Sequence, residues 1–265
     1  MKKLTFLFIF LCLFLTGCIQ RETKTSLLDE ISDRNTIKVG IRVDTKPFGF
    51  VKNGQYQGFD IDIAKSISEE IFGDNSIEHI EFIPLKTSER ISALAQNRVD
   101  MVIAAFSINE RRKTVVDFSI PYYVAGQALM VPNSSRINSI EQLNDKSVAI
   151  VMGTTSEKTV RTFAPNATLI GAITYKDAFN FLKKGEVQAV LADDSMLYGI
   201  LSENKGYKIL SRRYTEEFYA IGFAKDEKSK TLKNRVNMHL KNMQQSGELN
   251  KIKQKWIPKN YPQRR

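Results

Sequence analysis

Residues 100–123, DMVIAAFSINERRKTVVDFSIPYY, decide how the chain is read. Val99 to Ala105 is apolar and β-prone, which predicts a buried strand, and Ser107, Asn109, Glu110, Arg111 and Arg112 follow at once. Asn109 is a good N-cap for a short helix running to Val115, so a strand runs into a helix start. The junction gathers free backbone groups, a hydroxyl and guanidinium groups, parts able to hold an α-amino acid.

The same alternation extends towards the N-terminus. Thr36 to Val43 places Ile37, Val39, Ile41 and Val43 on one face of a strand that ends at Asp44-Thr45-Lys46-Pro47. Phe48 and Phe50 with Asn53-Gly54 predict a turn or hairpin. A helix begins near Asp60, with Phe59, Ile63, Ile67 and Ile71 recurring every four residues, and closes at Gly73. His79 to Leu85 reads as a strand, and Ser88 to Asn97 as a helix with Ile91, Leu94 and Ala95 inward. Alternating strands and helices favour a parallel α/β sheet, in which ligands bind beyond the carboxyl ends of the strands, where Arg42, Arg90 and Ser107 are expected.

A second series follows Tyr123. Val124 to Val131 reads as a strand, and Ser139 begins a capping box with Gln142. Ser147 to Met152 is a strand, and Gly153-Thr154-Thr155-Ser156-Glu157 opens a helix. Thr168 to Gly171 is a short strand, Thr174 to Lys184 a helix closed by Gly185, and Val187 to Ala192 a strand ending on Asp193-Asp194. Tyr207 to Leu210 and Phe218 to Ala224 are further strands, and Lys230 to Trp256 reads as two helices broken near Gly247. Two such series in 265 residues predict two lobes with a site between them.

A hydrophobic content of 42% is enough for real cores and excludes a disordered chain. Residues 1–17 carry two lysines, an apolar run from Leu4 to Leu15 and small residues before a cysteine, the layout of a secretory signal too short for a comfortable transmembrane helix. Leu15, Thr16, Gly17 and Cys18 look like a bacterial lipobox, so Cys18 is the expected site of lipidation and residues 18–35 an anchored tether. The expected location is therefore extracytoplasmic, lipid-anchored to the cell membrane. With only Cys12 and Cys18 in the chain, the mature part has no disulfide, cysteine nucleophile or zinc-thiolate site. His79 and His239 stand in no metal-ligand spacing, so neither a metal nor a cofactor is expected. The formal charge of +10 is spread out, with no nucleic-acid motif, and better suits anionic ligands or a solvated basic surface than nucleic acid.

The segments GIRVDTKPFGF at 40–50, GFDIDIAKSI at 58–67, TSERISALAQNRVDMVIAAFSINERRKTVVDFSIPYY from 87, GTTSE at 153 and NKIKQKW at 250–256 resemble bacterial extracellular solute-binding proteins of the polar amino-acid class. The resemblance spans about Thr36 to Trp256. It implies an α/β, two-lobed periplasmic-binding-protein-like clamshell, each lobe a mostly parallel sheet flanked by helices, with two crossover strands as hinge. Lobe 1 would comprise residues 36–124 and 220–265, lobe 2 residues 125–219, and Val124–Leu129 and Glu217–Ile221 the crossovers.

Carried over by position, the resemblance implies that Arg112 binds the ligand α-carboxylate, with the backbone at Thr154 and Thr155 contributing from a helix start. Ala105 would offer its carbonyl, Ser107 its hydroxyl and Asp193 its carboxylate to the ammonium group. Ser107 stands where the family usually has threonine, and Asn109 where threonine is frequent. Arg42 and Arg90 would face the ligand side chain, which makes glutamate or aspartate the expected ligand and glutamine the alternative, with Asp44, Asp60 or Glu89 able to neutralise one arginine internally. Phe48, Phe50, Tyr122 and Tyr123 are expected chiefly in packing.

The implied role is that of a monomeric, lipid-anchored receptor that captures an amino acid by lobe closure and delivers it to the membrane permease of an ABC importer. The rival is an enzyme of the same fold, such as a cyclic-acid dehydratase. It needs a general acid or base at the reacting carbon, where no histidine falls in a cleft segment. A sensor domain is the third reading, and the chain ends soon after Trp256 without a membrane-spanning segment.

Overall fold

The computed structural model describes residues 25–73 and 76–257. The signal run and Cys18 lie outside the described residues. Among the described residues the first element is a helix over Leu27–Asp33, capped by a reciprocal Ser26–Asp29 box and buried through Leu27 and Ile31. Residues 27–33 therefore belong to the folded body, which corrects the expectation that the tether runs to residue 35. Their apolar face packs with the long helix Lys230–Ser246.

The first lobe follows from the apolar alternation. Strand β1 (Ile37–Ile41) leads into a small antiparallel sheet of β2 (Asp44–Thr45), β3 (Gly49–Lys52) and β4 (Gln55–Gln57). Its turn at Asn53-Gly54 uses positive φ at both residues, 53° and 74°. The helix Phe59–Phe72 buries Ile63 and Ile67 on the sheet and ends at Gly73. Then come β5 (Ile80–Pro84), the helix Arg90–Ala95, β6 (Met101–Ile103), the one-turn helix Glu110–Lys113 and β7 (Val116–Phe118).

Two short strands join the lobes. Strand β8 (Tyr123–Ala125) carries the chain out, and the reading of Val124 to Val131 as one strand is corrected here, because the chain breaks at Gly126 before β9 (Gln127–Pro132). Asp194 holds the break: its Oδ1 accepts from Gly126 N–H at 3.2 Å and its N–H donates to the Gly126 carbonyl at 2.9 Å. The second lobe continues with β10 (Ser147–Val151), the helix Ser156–Phe163, β11 (Thr168–Ala172), the helix Tyr175–Lys183, β12 (Ala189–Asp193), the helix Asp194–Leu201 and β13 (Tyr207–Ile209). Ser139 does not cap; the Gln142 carboxamide takes Asn138 N–H at 2.8 Å instead, and Ile140–Leu143 is a 3-10 turn. Strand β14 (Glu217–Tyr219) returns antiparallel to β8, and β15 (Gly222–Ala224) re-enters the first sheet before the helices Lys230–Ser246 and Glu248–Trp256, which meet at a left-handed Gly247.

The sheets have matching topologies, β5-β1-β6-β15-β7 and β11-β10-β12-β9-β13. In each, three strands built from strand-helix-strand units are parallel, and the strand arriving from a crossover adds antiparallel to them. The molecule is thus a two-domain α/β periplasmic-binding-protein-like fold. Phe48 packs edge-on against Tyr123 and Tyr219 of the crossover pair, with centroids 5.0 and 5.4 Å away. That aromatic cluster braces the junction from the first lobe.

Candidate functional site

The site is assembled where β6 and β1 end in the first lobe and β10 and β12 end in the second. Asn109 accepts from Arg112 N–H at 2.8 Å, capping the one-turn helix, and Arg112 is buried. Its Nη1 donates to the Ser107 carbonyl at 2.6 Å and its Nη2 to the Gly153 carbonyl of the second lobe at 2.9 Å. Arg90 donates from Nε to the Thr87 carbonyl at 3.0 Å, from Nη1 to the Ala104 carbonyl at 3.1 Å and from Nη2 to the same Gly153 carbonyl at 3.3 Å. Both guanidinium carbons stand over the ring of Phe106, 4.4 and 4.8 Å from its centroid, so a π-face carries two like charges. Burial and then the Arg112 and Arg42 charges pull the Arg90 pKa well down, while burial lowers that of Arg112 against the opposing Glu217 and Asp193 carboxylates.

Gly153 can serve both arginines because it has no side chain. Its φ is 78°, and a Cβ there would stand 3.1 Å from Ser88 Cα.

Ala105 adopts a left-handed φ of 45°, held by its N–H donating to Asp60 Oδ2 at 2.8 Å. Asp60 is fully buried and also accepts from the Tyr122 hydroxyl at 2.8 Å. Burial pushes its carboxyl up to about 7, opposed by those two hydrogen bonds and by Arg90. The Ala105 carbonyl takes a long 3.4 Å contact from Arg90 Nη1.

In the second lobe, Thr154 donates to the Val151 carbonyl at 2.7 Å and caps Ser156 N–H at 3.3 Å, while Thr155 stands at the helix N-cap and accepts from Gln127 Nε2 at 2.6 Å. Asp193 occupies the N-cap of Asp194–Leu201 without capping it; its Oδ2 instead accepts from the Tyr219 hydroxyl at 2.5 Å. Burial, then the Glu217 charge, pushes the Asp193 carboxyl up to about 7, with the Tyr219 bond opposing. Tyr175 stands among Asp193, Arg42 and Arg90, with its pKa raised mainly by burial.

Arg42 is buried at the end of β1 and is paired within its own lobe. Its Nε and Nη2 reach Asp44 at 2.8, 2.5 and 2.6 Å, and its guanidinium lies 6.0 Å from the Tyr175 ring centroid. A groove of about 440 Å³ lined by Asp44, Lys46, Tyr175, Met196 and Gly199 opens beside this pair.

Ser107, Arg112, Arg90, Ala105, Asp193 and Arg42 are linked by hydrogen bonds or charge interactions, while Thr154 and Thr155 follow Gly153 in the chain and line a groove with Asn109 and Arg111 of the first lobe. Gln127, Gly153, Tyr175, Glu217 and Tyr219 join them without having been singled out from the sequence. Glu89 does not neutralise Arg90, because its Oε2 caps Lys86 N–H at 2.9 Å.

Residues 37–259 match the model of the bacterial extracellular solute-binding proteins, family 3. The ABC transporter glutamine-binding protein GlnH of Bacillus subtilis (strain 168) is 38% identical over 245 residues, covering 91% of this chain and 88% of the relative. The glutamine-binding protein of Geobacillus stearothermophilus is 36% identical over 209 residues, covering 77% and 79%. Among solved structures, the ancestral amino acid-binding protein AncCDT-1, a precursor of cyclohexadienyl dehydratase, superposes with a TM-score of 0.79 at 36% identity, over 88% of this chain and 100% of that one. The chain is a member of the bacterial extracellular solute-binding proteins of family 3.

Proposed function

We propose that the protein is the glutamine receptor of an ABC importer, closing its lobes on free glutamine and delivering it to the permease. The observation that carries the choice of ligand is the Arg42–Asp44 pair, in which Arg42 holds both oxygens of a carboxylate already present in the site. Two unpaired arginines would demand a charged side chain, which is the ground for expecting glutamate or aspartate. With Arg42 paired, and Arg90 spending most of its donors on carbonyls, a second ligand carboxylate has no such partner. Both relatives reported above carry glutamine in their names.

Within this reading, Arg112 binds the α-carboxylate with its Nε and the remaining Nη hydrogens, since a guanidinium has five donors and two serve Ser107 and Gly153. The helix start adds the Thr155 backbone N–H, since the Thr154 N–H donates to the Val151 carbonyl at 3.3 Å. Asp193, the Ala105 carbonyl and the Ser107 hydroxyl receive the ammonium. Residues of both lobes then hold one ligand, so closure and affinity are the same event.

No chemistry is assigned to the protein. A dehydratase requires an acid or base at the reacting carbon, and in this reading Asp193 already has the ammonium to hold, while His239 is bound to Ser66 between the helices Phe59–Phe72 and Lys230–Ser246. Cys18 is proposed as the lipidated residue that holds the receptor at the outer face of the cell membrane, where acyl chains bury their methylenes. Calorimetry of the protein from residue 19 onward against each common amino acid tests the assignment. Glutamine is expected to bind tightest; tighter binding of glutamate or arginine would overturn it, and turnover of a cyclic acid would overturn the non-enzymatic reading.

A further inference from the structure

We propose that the Gly153 carbonyl is the latch of lobe closure and that Arg90 holds it, so that Arg90 tightens the grip on every amino acid alike and reads the side chain of none. The inference rests on lobe closure as read above and holds whichever amino acid is bound.

Arg90 is buried, and its hydrogen bonds run to backbone carbonyls. Of the five N–H groups of a guanidinium, Nε serves Thr87, Nη1 serves Ala104 and, at longer range, Ala105, and one Nη2 hydrogen serves Gly153. Thr87, Ala104 and Ala105 belong to the first lobe and fix the group there, with the Phe106 ring covering one of its faces at 4.4 Å. Gly153 belongs to the second lobe, so the remaining bond crosses the cleft. A donor already held rigidly on one side loses little freedom when it takes an acceptor from the other. The single Nη2 hydrogen left over cannot grasp a side-chain carboxylate with the two parallel bonds such a group favours.

The acceptor suits the task. The Gly153 carbonyl has two lone pairs, met by Arg90 at 3.3 Å and by Arg112 at 2.9 Å. A side chain on Gly153 would oppose the approach, because its Cβ would stand 3.1 Å from Ser88 Cα and 3.2 Å from Ser88 N, backbone atoms that cannot turn aside. In the reading above Arg112 serves the ligand as well as this carbonyl. Arg90 is therefore the member of the pair whose loss cuts the latch and leaves the α-carboxylate its partner. The contact exists only with the lobes together, so it acts on departure of the ligand more than on its arrival.

The test compares glutamine and glutamate in the chain from residue 19 and in Arg90→Met, which keeps an apolar stem beside Phe106 and removes the donors. Both ligands are expected to weaken by the same factor, about ten- to a hundredfold, through faster dissociation in stopped flow, with the ratio of their Kd values held within about twofold. Gly153→Ala, altered in the other lobe, is expected to show the same uniform loss. The double variant should lose no more than the weaker-binding single one, because both changes break one contact. A loss confined to glutamate would make Arg90 a side-chain contact and overturn the inference, as would unchanged affinities or losses that add in the double variant. Small-angle scattering separates this from the reading beneath it: unaltered protein that fails to compact with ligand overturns lobe closure itself.

Discussion

Gly199 of the second lobe lies against Lys46 of the first so closely that a Cβ on Gly199 would stand 2.0 Å from the Lys46 carbonyl oxygen. The neighbouring Lys46–Glu203 ion pair, at 2.8 Å, ties the same edges, but both side chains are solvent-exposed and such a pair contributes little. The absence of a side chain at Gly199 is what lets the lobes meet here.

Gly199→Ala is expected to hold the lobes apart while improving the helix Asp194–Leu201, since alanine is the better helix former by up to about 1 kcal/mol. The ligand-free melting temperature should therefore stay the same or rise, while ligand affinity falls about tenfold or more because part of the closed contact set is lost. Small-angle scattering with and without ligand, together with calorimetry, checks both. Full closure and unchanged affinity would show that the backbone yields.

Asp44 is expected to control the sign of the side-chain pocket. Asp44→Asn removes the carboxylate that holds Arg42 and leaves a buried guanidinium without its counter-charge. A ligand carboxylate can then take its place, so the ratio of glutamate to glutamine affinity should rise by more than about tenfold, about 1.4 kcal/mol. Competition calorimetry reads the ratio directly; a ratio that stays put would separate Arg42 from side-chain recognition.

Much of this arrangement is legible in the residues, for reasons that differ from part to part. Ile37, Val39 and Ile41, and the four-residue recurrence of Ile63 and Ile67, are local periodicities, and local periodicity is what a single chain displays. The helix Leu27–Asp33 carries a local mark too, the Ser26–Asp29 box, but it sits at the end of a polar run and reads as tether. Arg42 and Asp44 are two residues apart, so their pairing was one of several open choices that only the geometry decides. Gln127, Gly153 and Gly199 act through contacts with residues 28, 65 or more than 150 positions away, and no spacing rule reports such contacts. The break at Gly126 is hidden for the same reason, since the residue that makes it is Asp194.

Arg112→Ala should cost about 3–5 kcal/mol of binding, because the α-carboxylate would be enclosed without its partner and the Ser107 and Gly153 carbonyls would lose their donor. Arg112→Lys keeps the charge but loses the planar fork, and should recover only part of the loss. Calorimetry with glutamine measures both variants. A loss of less than about tenfold in the alanine variant would place the arginine outside the ligand contacts.

Binding should weaken as pH falls through neutrality, with Asp193 as the titrating group. Its carboxyl is pushed up to about 7 by burial and then by Glu217 and Asp194, against the Tyr219 hydrogen bond and the Arg112 charge. The ligand ammonium needs the ionised form, so affinity is fully present above pH 7 and is lost below it, approaching about tenfold per pH unit, with a proton released on binding. Asp60, also near 7, faces Tyr122, Ala105 and Arg90 and titrates in the same window, where its buried charge lowers the stability of the ligand-free protein as pH rises. Asp193→Asn separates the two. Calorimetry at pH about 5.5 and about 8, in buffers of different ionisation enthalpy, should show a steep pH dependence and proton release in the parent and a flat, weaker profile in the variant. If Asp193→Asn keeps the parent's slope, Asp60 or another group is the source, and Asp193 is not the partner of the ammonium.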